Sequence, residues 1–270
     1  MPRPSSANAV LAATLTALCL GGGAALARVE RTEARSGYLA PGAFDVLAVL
    51  PPAPRPGDPR ATADRAVFRA TRAFAGTARW AMATNDVKLA PVDMMRDYSC
   101  AVGIVLTPQM APRTAMLIAR ASSDTARGTG IAKNFYKRQR PFLIDQGATC
   151  QPAAEVADSY DYPSGHTTAG WTWATLLAEL APDRATPILA RGRAFGESRL
   201  VCGVHNASAV EAGRLSASAT LTAERDVTAF KADLAAARVE MDALRRNPTT
   251  PKPAPALCSR EAALIAQRID

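Results

Sequence analysis

The chain has 270 residues, a formal net charge of +8, two histidines and five cysteines. This length suits one sizeable domain with its own core and leaves little room for a second. Lys and Arg are scattered without RNA-binding motifs or interleaved aromatic residues, which argues against nucleic acid as a partner and favours small acidic ligands.

Residues 1–27 have the pattern of a cleaved signal peptide. Arg3 supplies a positive start, residues 9–27 carry no charge, and Ala25-Leu26-Ala27 offers the small residues that signal peptidase accepts. We therefore expect a periplasmic protein whose mature chain starts at residue 28. The alternative is an uncleaved membrane anchor, because an uncharged run of this length just spans a bilayer. No later segment is apolar for long enough to form a membrane span.

The rest of the chain divides into an arm, a helical body and a tail. Residues 28–60 are irregular and end in a Pro-rich run that excludes a regular helix or a central strand. Residues 61–246 hold Ala- and Leu-rich segments with helical spacing, separated by Pro and Gly, for example at Gly128 and Pro141. This pattern predicts an all-α, single-domain bundle of roughly seven to nine helices. A Pro-rich tail follows over residues 247–270.

The cysteines that remain after cleavage indicate disulfides rather than a metal site. An exported chain with four cysteines favours two disulfides, and all three connectivities stay open. The spacings contain no CxxC pair, and two histidines are too few for a zinc site, so we expect neither metal nor cofactor. The four residues are Cys100, Cys150, Cys202 and Cys258.

Three short segments carry candidate chemistry. Lys133 and Arg140 lie seven positions apart, which on a helix puts both cations on one face. Pro163-Ser164-Gly165-His166 precedes an apolar helical stretch, where free amides and the Ser hydroxyl form an oxyanion cradle. Ser198 to His205 contains Arg199 and a Gly turn. Each segment alone also fits a structural role, such as a solvated helix end.

Together these segments frame the two histidines with three cations. A neutral histidine attacks phosphorus and a protonated one gives its proton to the leaving oxygen, which is enough for double-displacement phosphoryl transfer. Cations, a hydroxyl and an amide offset the charge on the equatorial oxygens without a metal. We expect a bell-shaped pH dependence with best activity at mildly acidic pH.

The three segments match the signature of the type 2 phosphatidic acid phosphatase superfamily: Lys-x6-Arg-Pro at 133–141, Pro-Ser-Gly-His at 163–166 and Ser-Arg-x5-His at 198–205. Their flanks most resemble the class A bacterial nonspecific acid phosphatases. The resemblance implies the helical bundle of the acid phosphatase and vanadium haloperoxidase type, a phosphoenzyme on His205 and His166 as general acid. It also implies a set of phosphate-binding residues: Lys133, Arg140, Ser164, Gly165 and Arg199.

The sequence departs from this family at one position. The signature continues His-x3-Asp, with the Asp orienting the nucleophilic imidazole, but residue 209 is Ala. Glu211 is the nearest carboxylate in sequence, and Ser208 to Glu211 reads as a capping box that would engage it at a helix start. The orienting group is therefore open between a backbone carbonyl and a distant acid.

The leading interpretation is an exported acid phosphatase acting on small phosphomonoesters, with inorganic phosphate or vanadate as site ligands. Two alternatives remain: a vanadate-dependent haloperoxidase, which uses the same cradle, and a catalytically impaired phosphate-binding homologue, motivated by Ala209. The sequence leaves the physiological substrate and a homo-oligomer open.

Overall fold

The computed structural model describes residues 36–269, so the predicted signal peptide and the first residues of the arm lie outside it. Within that range the protein is all-α, as the sequence predicts, and contains no strand. No helix in residues 36–269 is long and apolar enough to cross a membrane. The α-helices are α1 (Pro59–Thr71), α2 (Ala78–Asn85), α3 (Pro91–Val102), α4 (Pro112–Tyr136), α5 (Gly165–Leu180), α6 (Ala185–Val201), α7 (Ala207–Glu224), α8 (Thr228–Arg246) and α9 (Pro255–Ile265).

One predicted helix boundary is wrong, because Gly128 lies inside α4, which runs for 25 residues. Glycine lowers helix propensity, but in proteins the packing of an apolar face supplies most of a helix's stability. Leu117, Ile118 and Ala132 of α4 are fully buried and provide that packing. Helix α4 therefore continues through the glycine to Tyr136 and carries Lys133 in its last turn.

Helix α5 lies at the centre of the bundle and packs against α4, α6 and α7. Two glycines let α5 and α6 approach closely: a Cβ at Gly170 would stand 2.5 Å from Phe195, and one at Gly192 would stand 2.3 Å from Ala174. Both distances are too short for carbon atoms, so larger residues would push the helices apart. This contact holds the start of α5 beside the end of α6.

The arm and the tail lie on the bundle. The backbone amides of Tyr38 and Leu39 donate to Asp124 of α4, over 2.6 and 3.0 Å. The tail is joined by the disulfide Cys100–Cys258, and the second disulfide is Cys150–Cys202. Cys258 therefore ties the tail to α3.

Candidate active site

The structure brings the five predicted titratable site residues together where α4, α5 and α6 meet. The pKa values of both His166 and His205 are lowered first by burial, and then by the positive charges of Lys133, Arg140 and Arg199. The effect of a charge on a pKa weakens with distance, so these cations lie near both imidazole rings. The three separate sequence segments therefore form one basic, largely buried site.

His205 is held in the turn between α6 and α7. Gly203 has a φ of 74°, which favours glycine, and its Cβ would stand 2.3 Å from the Arg72 guanidinium. The turn directs the His205 ring inward, where only 2 % of its surface is exposed. Nε2 of His205 lies 3.1 Å from the Arg140 guanidinium, and Nδ1 lies 2.9 Å from Oδ1 of Asp161. With its pKa held well below 6.5 by burial, this imidazole is neutral at ordinary pH.

Asp161 is a carboxylate that the sequence interpretation did not place in the site. It is fully buried, and it accepts hydrogen bonds from the Asn206 backbone amide over 3.1 Å and from the Asn206 side-chain amide over 2.9 Å. Arg138 forms an ion pair with its other side at 3.3 Å. Burial raises the pKa of Asp161, while Arg138 and Asn206 oppose that rise. The sequence left a backbone carbonyl and a distant acid as candidates to orient His205, and in the structure the distant acid Asp161 contacts it.

The predicted capping box at 208–211 is wrong. Helix α7 begins at Ala207, one residue before Ser208, and the Ser208 amide donates to Asp64 of α1 over 2.8 Å. The Glu211 side chain is 63 % exposed and lies 3.4 Å from Arg60. Carboxylates from other elements, Asp64 and Asp161, therefore satisfy the amides at this helix start in place of the local cap.

His166 stands in the first turn of α5, behind its N-cap. Ser164 caps the helix, with its hydroxyl accepting from the Thr167 amide over 3.3 Å, and Gly165 is the first helical residue. Nε2 of His166 lies 2.9 Å from the carbonyl oxygen of Val87. Burial and Arg199 lower the pKa of His166 to about 3. The cradle predicted at Ser164 and Gly165 thus lies directly beside this histidine.

The carbonyl of Val87 is positioned by a buried network behind the site. The preceding residue, Asp86, accepts from Arg191 over 2.7 and 3.1 Å and from the Ser198 hydroxyl over 2.6 Å. Buried ion pairs that are fully hydrogen-bonded hold one geometry. Ser198, which adjoins Arg199 in the sequence motif, therefore fixes the loop that contacts His166.

The predicted phosphate-binding cations donate to neutral oxygens. Arg140 donates to the Val204 carbonyl over 2.8 Å and to the Ser159 carbonyl over 2.6 Å, and Lys133 donates to the Tyr160 carbonyl. Among residues 36–269, neither of these cations nor Arg199 forms an ion pair with a carboxylate. The site therefore holds an excess of positive charge, the electrostatic requirement for binding an anion.

Lys133 and Arg140 do not share a helix face, which corrects the prediction. Helix α4 ends at Tyr136, and Lys137 takes a left-handed conformation with φ at 46°. The chain turns there, and Arg138 is drawn to Asp64 over 2.7 Å. Arg140 consequently reaches the site from the loop after α4, and the two cations converge through this turn.

Arg199 is the one of these three cations whose buried hydrogen-bond donors lack partners within residues 36–269. Its guanidinium is fully buried, and one amino group donates to Gln151. Its Nε and Nη1 have no hydrogen-bond partner within the described part of the chain. Burial and the charge of Arg140 lower its pKa to about 9. Two unpaired donors in a fixed plane match the oxygens of a phosphoryl group.

Similarity to known proteins agrees with this geometry. Residues 113–229 match the family model described as PAP2 superfamily. An acid phosphatase of Zymomonas mobilis subsp. mobilis is 40% identical over 227 residues, which cover 83% of this chain and 85% of that protein. The chain belongs to the bacterial non-specific acid phosphatases of the PAP2 superfamily.

Other members of the family show the same relation. A non-specific acid phosphatase of Salmonella typhimurium is 34% identical over 196 residues, covering 72% of this chain and 78% of that protein. One of Providencia stuartii is 34% identical over 207 residues, covering 76% and 84%. This acid phosphatase is therefore a phosphoric monoester hydrolase, and the family resemblance read from the three motifs is confirmed.

The sequence did not predict the residues that contact the side chains of the three motifs. Asp161 and Arg138 lie within two residues of the motif residues Pro163 and Arg140, and this closeness in sequence was a signal that they belong to the site. The neighbouring residues do not indicate which side chains they contact. Gln151 and the Ser159 and Tyr160 carbonyls come from one loop, which the Cys150–Cys202 disulfide ties to the end of α6. That loop, residues 149–160, contacts all three cations that the sequence predicts to bind phosphate.

Proposed function

We propose that this protein is an exported acid phosphatase that hydrolyses small phosphomonoesters through a phosphohistidine on His205, with His166 as the proton donor and without a metal. The observation that carries the proposal is a set of three cations beside both histidines. Arg140 and Arg199 are buried and Lys133 is half-buried, and none of them pairs with a carboxylate among residues 36–269. Such a site favours a dianionic phosphoryl group, with inorganic phosphate or vanadate as simple ligands.

The cations and the N-terminus of α5 would hold the phosphoryl oxygens. Arg199 offers Nε and Nη1, and the Gly165 amide lies at the positive end of the α5 dipole. Lys133 and Arg140 would exchange carbonyl oxygens for phosphoryl oxygens, which strengthens their hydrogen bonds because the acceptor becomes charged. Positioning the phosphorus in this way aligns it with Nε2 of His205.

Hydrolysis then takes two steps. In the first, the lone pair on Nε2 of His205 forms a bond to phosphorus, the bond from phosphorus to the ester oxygen breaks, and His166 gives a proton to that oxygen, releasing the alcohol. In the second, water attacks phosphorus, His166 takes a proton from the water, and the bond between nitrogen and phosphorus breaks. Inorganic phosphate leaves, and both histidines return to their starting states.

Substrate binding prepares His166 for its role as acid. Its pKa of about 3 reflects burial beside positive charges. A phosphomonoester dianion would offset those charges, and an adjacent anion favours the protonated imidazolium. The substrate therefore raises the pKa of its own proton donor, which brings it nearer the acidic working range expected from the sequence.

The test compares two substrates on three proteins. Hydrolysis of p-nitrophenyl phosphate and of glycerol phosphate would be measured with EDTA present for the wild type, His205→Ala and His166→Ala. We expect His205→Ala to lose both activities. His166→Ala should lose glycerol phosphate hydrolysis far more, because p-nitrophenolate leaves without a proton and an alkoxide does not. Equal losses on both substrates, or an active His205→Ala, would contradict the assignment.

Export forms a separate part of the proposal. The charge pattern of residues 1–27 supports it, and expression of the full chain followed by mass measurement of the periplasmic product tests it. We expect a mature protein that starts at residue 28. Retention of the full-length chain in the membrane fraction would favour the anchor instead.

The alternative of an impaired phosphate-binding protein rested on Ala209. Asp161 beside Nδ1 of His205 weakens that premise, since a carboxylate does contact the imidazole. The haloperoxidase alternative remains testable by bromide oxidation with added vanadate and peroxide. The similarity of this chain to acid phosphatases favours phosphomonoester hydrolysis.

A further inference from the structure

Asp161 accepts hydrogen bonds from Asn206 on both of its oxygens and pairs with Arg138 through one of them. Its Oδ1 lies 2.9 Å from Nδ1 of His205 and accepts from the Asn206 amide over 3.1 Å. Its Oδ2 accepts from the Asn206 side chain over 2.9 Å and lies 3.3 Å from the Arg138 guanidinium. Donors on both oxygens require the ionised, acceptor-only carboxylate. A neutral imidazole facing such an acceptor carries its proton on Nδ1 and keeps the lone pair on Nε2.

Asp161 is itself held by a second layer of polar contacts. Arg138 bridges it to Asp64, which lies 2.7 Å from the same guanidinium. Asp64 also accepts from the Ser208 amide over 2.8 Å. The Arg138 charge is thus shared between two carboxylates and fixed against α1 and α7. A carboxylate anchored from both sides has little freedom to turn away from the imidazole.

The position where the family signature has its orienting carboxylate is apolar in this protein. Ala209 is fully buried in a cluster with Val46, Leu50 and Tyr162. Its carbonyl oxygen accepts from the Ser164 amide over 2.9 Å, so its backbone supports the cradle instead. The carboxylate that reaches His205 comes from 44 residues earlier in the chain, in the segment that leads into Ser164.

We propose that Asp161 is the positioning residue for His205 and supplies from a new place in the chain the carboxylate that position 209 lacks. This inference rests on the proposed function of His205 as the nucleophile. Asp161 holds the proton on Nδ1, so Nε2 keeps the lone pair that attacks phosphorus once Arg140, which lies 3.1 Å from it, donates to the phosphoryl oxygens instead. Its negative charge also stabilises the positively charged ring that forms when the nitrogen is phosphorylated.

The test uses Asp161→Asn, with Asp158→Asn as the matched control on an exposed residue of the same loop. Steady-state kinetics would be combined with vanadate titration and thermal unfolding. We expect Asp161→Asn to lower kcat by about 100-fold or more, by analogy with removal of the orienting carboxylate in serine proteases. Vanadate affinity should change little, because the three cations and the cradle remain. An unchanged kcat would overturn the proposal.

Two further measurements keep the proposal falsifiable if Asp161→Asn folds poorly. Long-range proton–nitrogen NMR reads the tautomer of each ring in the wild type, and a chain with two histidines is simple to assign by comparison with His205→Ala. We expect His205 to be protonated on Nδ1; the Nε2-protonated form would overturn the proposal. Ala209→Asp should give no gain in kcat, since the carboxylate is already present. A clear gain would show that Asp161 does not supply it.

These outcomes separate the inference from the proposed function. A wild type that forms no phosphoenzyme but carries the Nδ1 proton on His205 would overturn the function and leave the positioning role supported. A wild type that forms the phosphoenzyme, while Asp161→Asn keeps its kcat, would overturn the positioning role alone.

Discussion

Replacing Glu224 with Gln should stabilise the protein increasingly as the pH rises. Glu224, at the end of α7, is fully buried, and burial together with the charge of Asp124 raises its pKa from 4.5 to about 9. The folded state therefore keeps a proton on Glu224 at neutral pH, whereas the unfolded chain releases it above pH 4.5. Since the folded state binds more protons between these values, this group makes stability fall as the pH rises.

The size of the effect follows from the two pKa values. At pH 7 the unfolded carboxyl is about 2.5 pH units above its pKa, and each unit corresponds to about 1.4 kcal/mol, so the cost is about 3 kcal/mol. Gln has a similar shape and does not ionise. The unfolding free energy of Glu224→Gln should therefore exceed that of the wild type. The difference should be small near pH 4.5 and reach up to about 3 kcal/mol at pH 7.

Urea denaturation of the disulfide-intact protein between pH 5 and 8 measures this difference. Buffers should lack phosphate, because a bound anion stabilises the folded state by itself. The matched control is Glu211→Gln, on the same helix but 63 % exposed, whose curve should run parallel to that of the wild type. Parallel curves for Glu224→Gln and the wild type would refute the reasoning.

Two other predictions concern the proposed phosphate site and the loop that contacts its cations. Arg199→Lys should weaken inorganic phosphate binding by about tenfold or more, because Lys cannot replace the planar donors at Nε and Nη1. Calorimetry would measure the affinity, with Arg246→Lys on the exposed side of α8 as the control. Equal phosphate affinities in the two variants would contradict the role of Arg199. Removing the Cys150–Cys202 disulfide should cost about 4 kcal/mol by the chain-entropy estimate for its 52-residue separation and also raise KM, since loop 149–160 contacts the cations. Removing Cys100–Cys258 should lower the melting temperature but leave KM unchanged, and a matching rise in KM in both variants would argue against a specific effect of the loop.

The sequence predicted the parts of the site whose signal is local. Helical spacing, together with Pro and Gly between segments, predicted the all-α fold, and the short motifs around His166 and His205 held most of the phosphate-site candidates. These signals succeed because a helix start or a Gly turn depends on a few adjacent residues.

The contacts it could not predict depend on partners distant in sequence. Asp161 meets His205 across 44 residues, and Asp64 replaces the local cap at Ser208 from an even greater separation. The prediction that Lys133 and Arg140 share a helix face failed for the same reason. The chain turns at Lys137, and Arg138 pairs with Asp64, which is distant in sequence. Periodicity carries no information on which buried carboxylate satisfies which helix start.

Trapping the phosphoenzyme tests the central claim most directly. The mature protein would be mixed with p-nitrophenyl phosphate in EDTA, quenched within the first turnovers and digested under alkaline conditions that preserve phosphohistidine, and the peptides would be analysed by mass spectrometry. We predict one phosphorylated residue, His205, in the wild type and none in His205→Ala. Phosphate on His166 or on a serine, or turnover without any phosphoenzyme, would contradict the account.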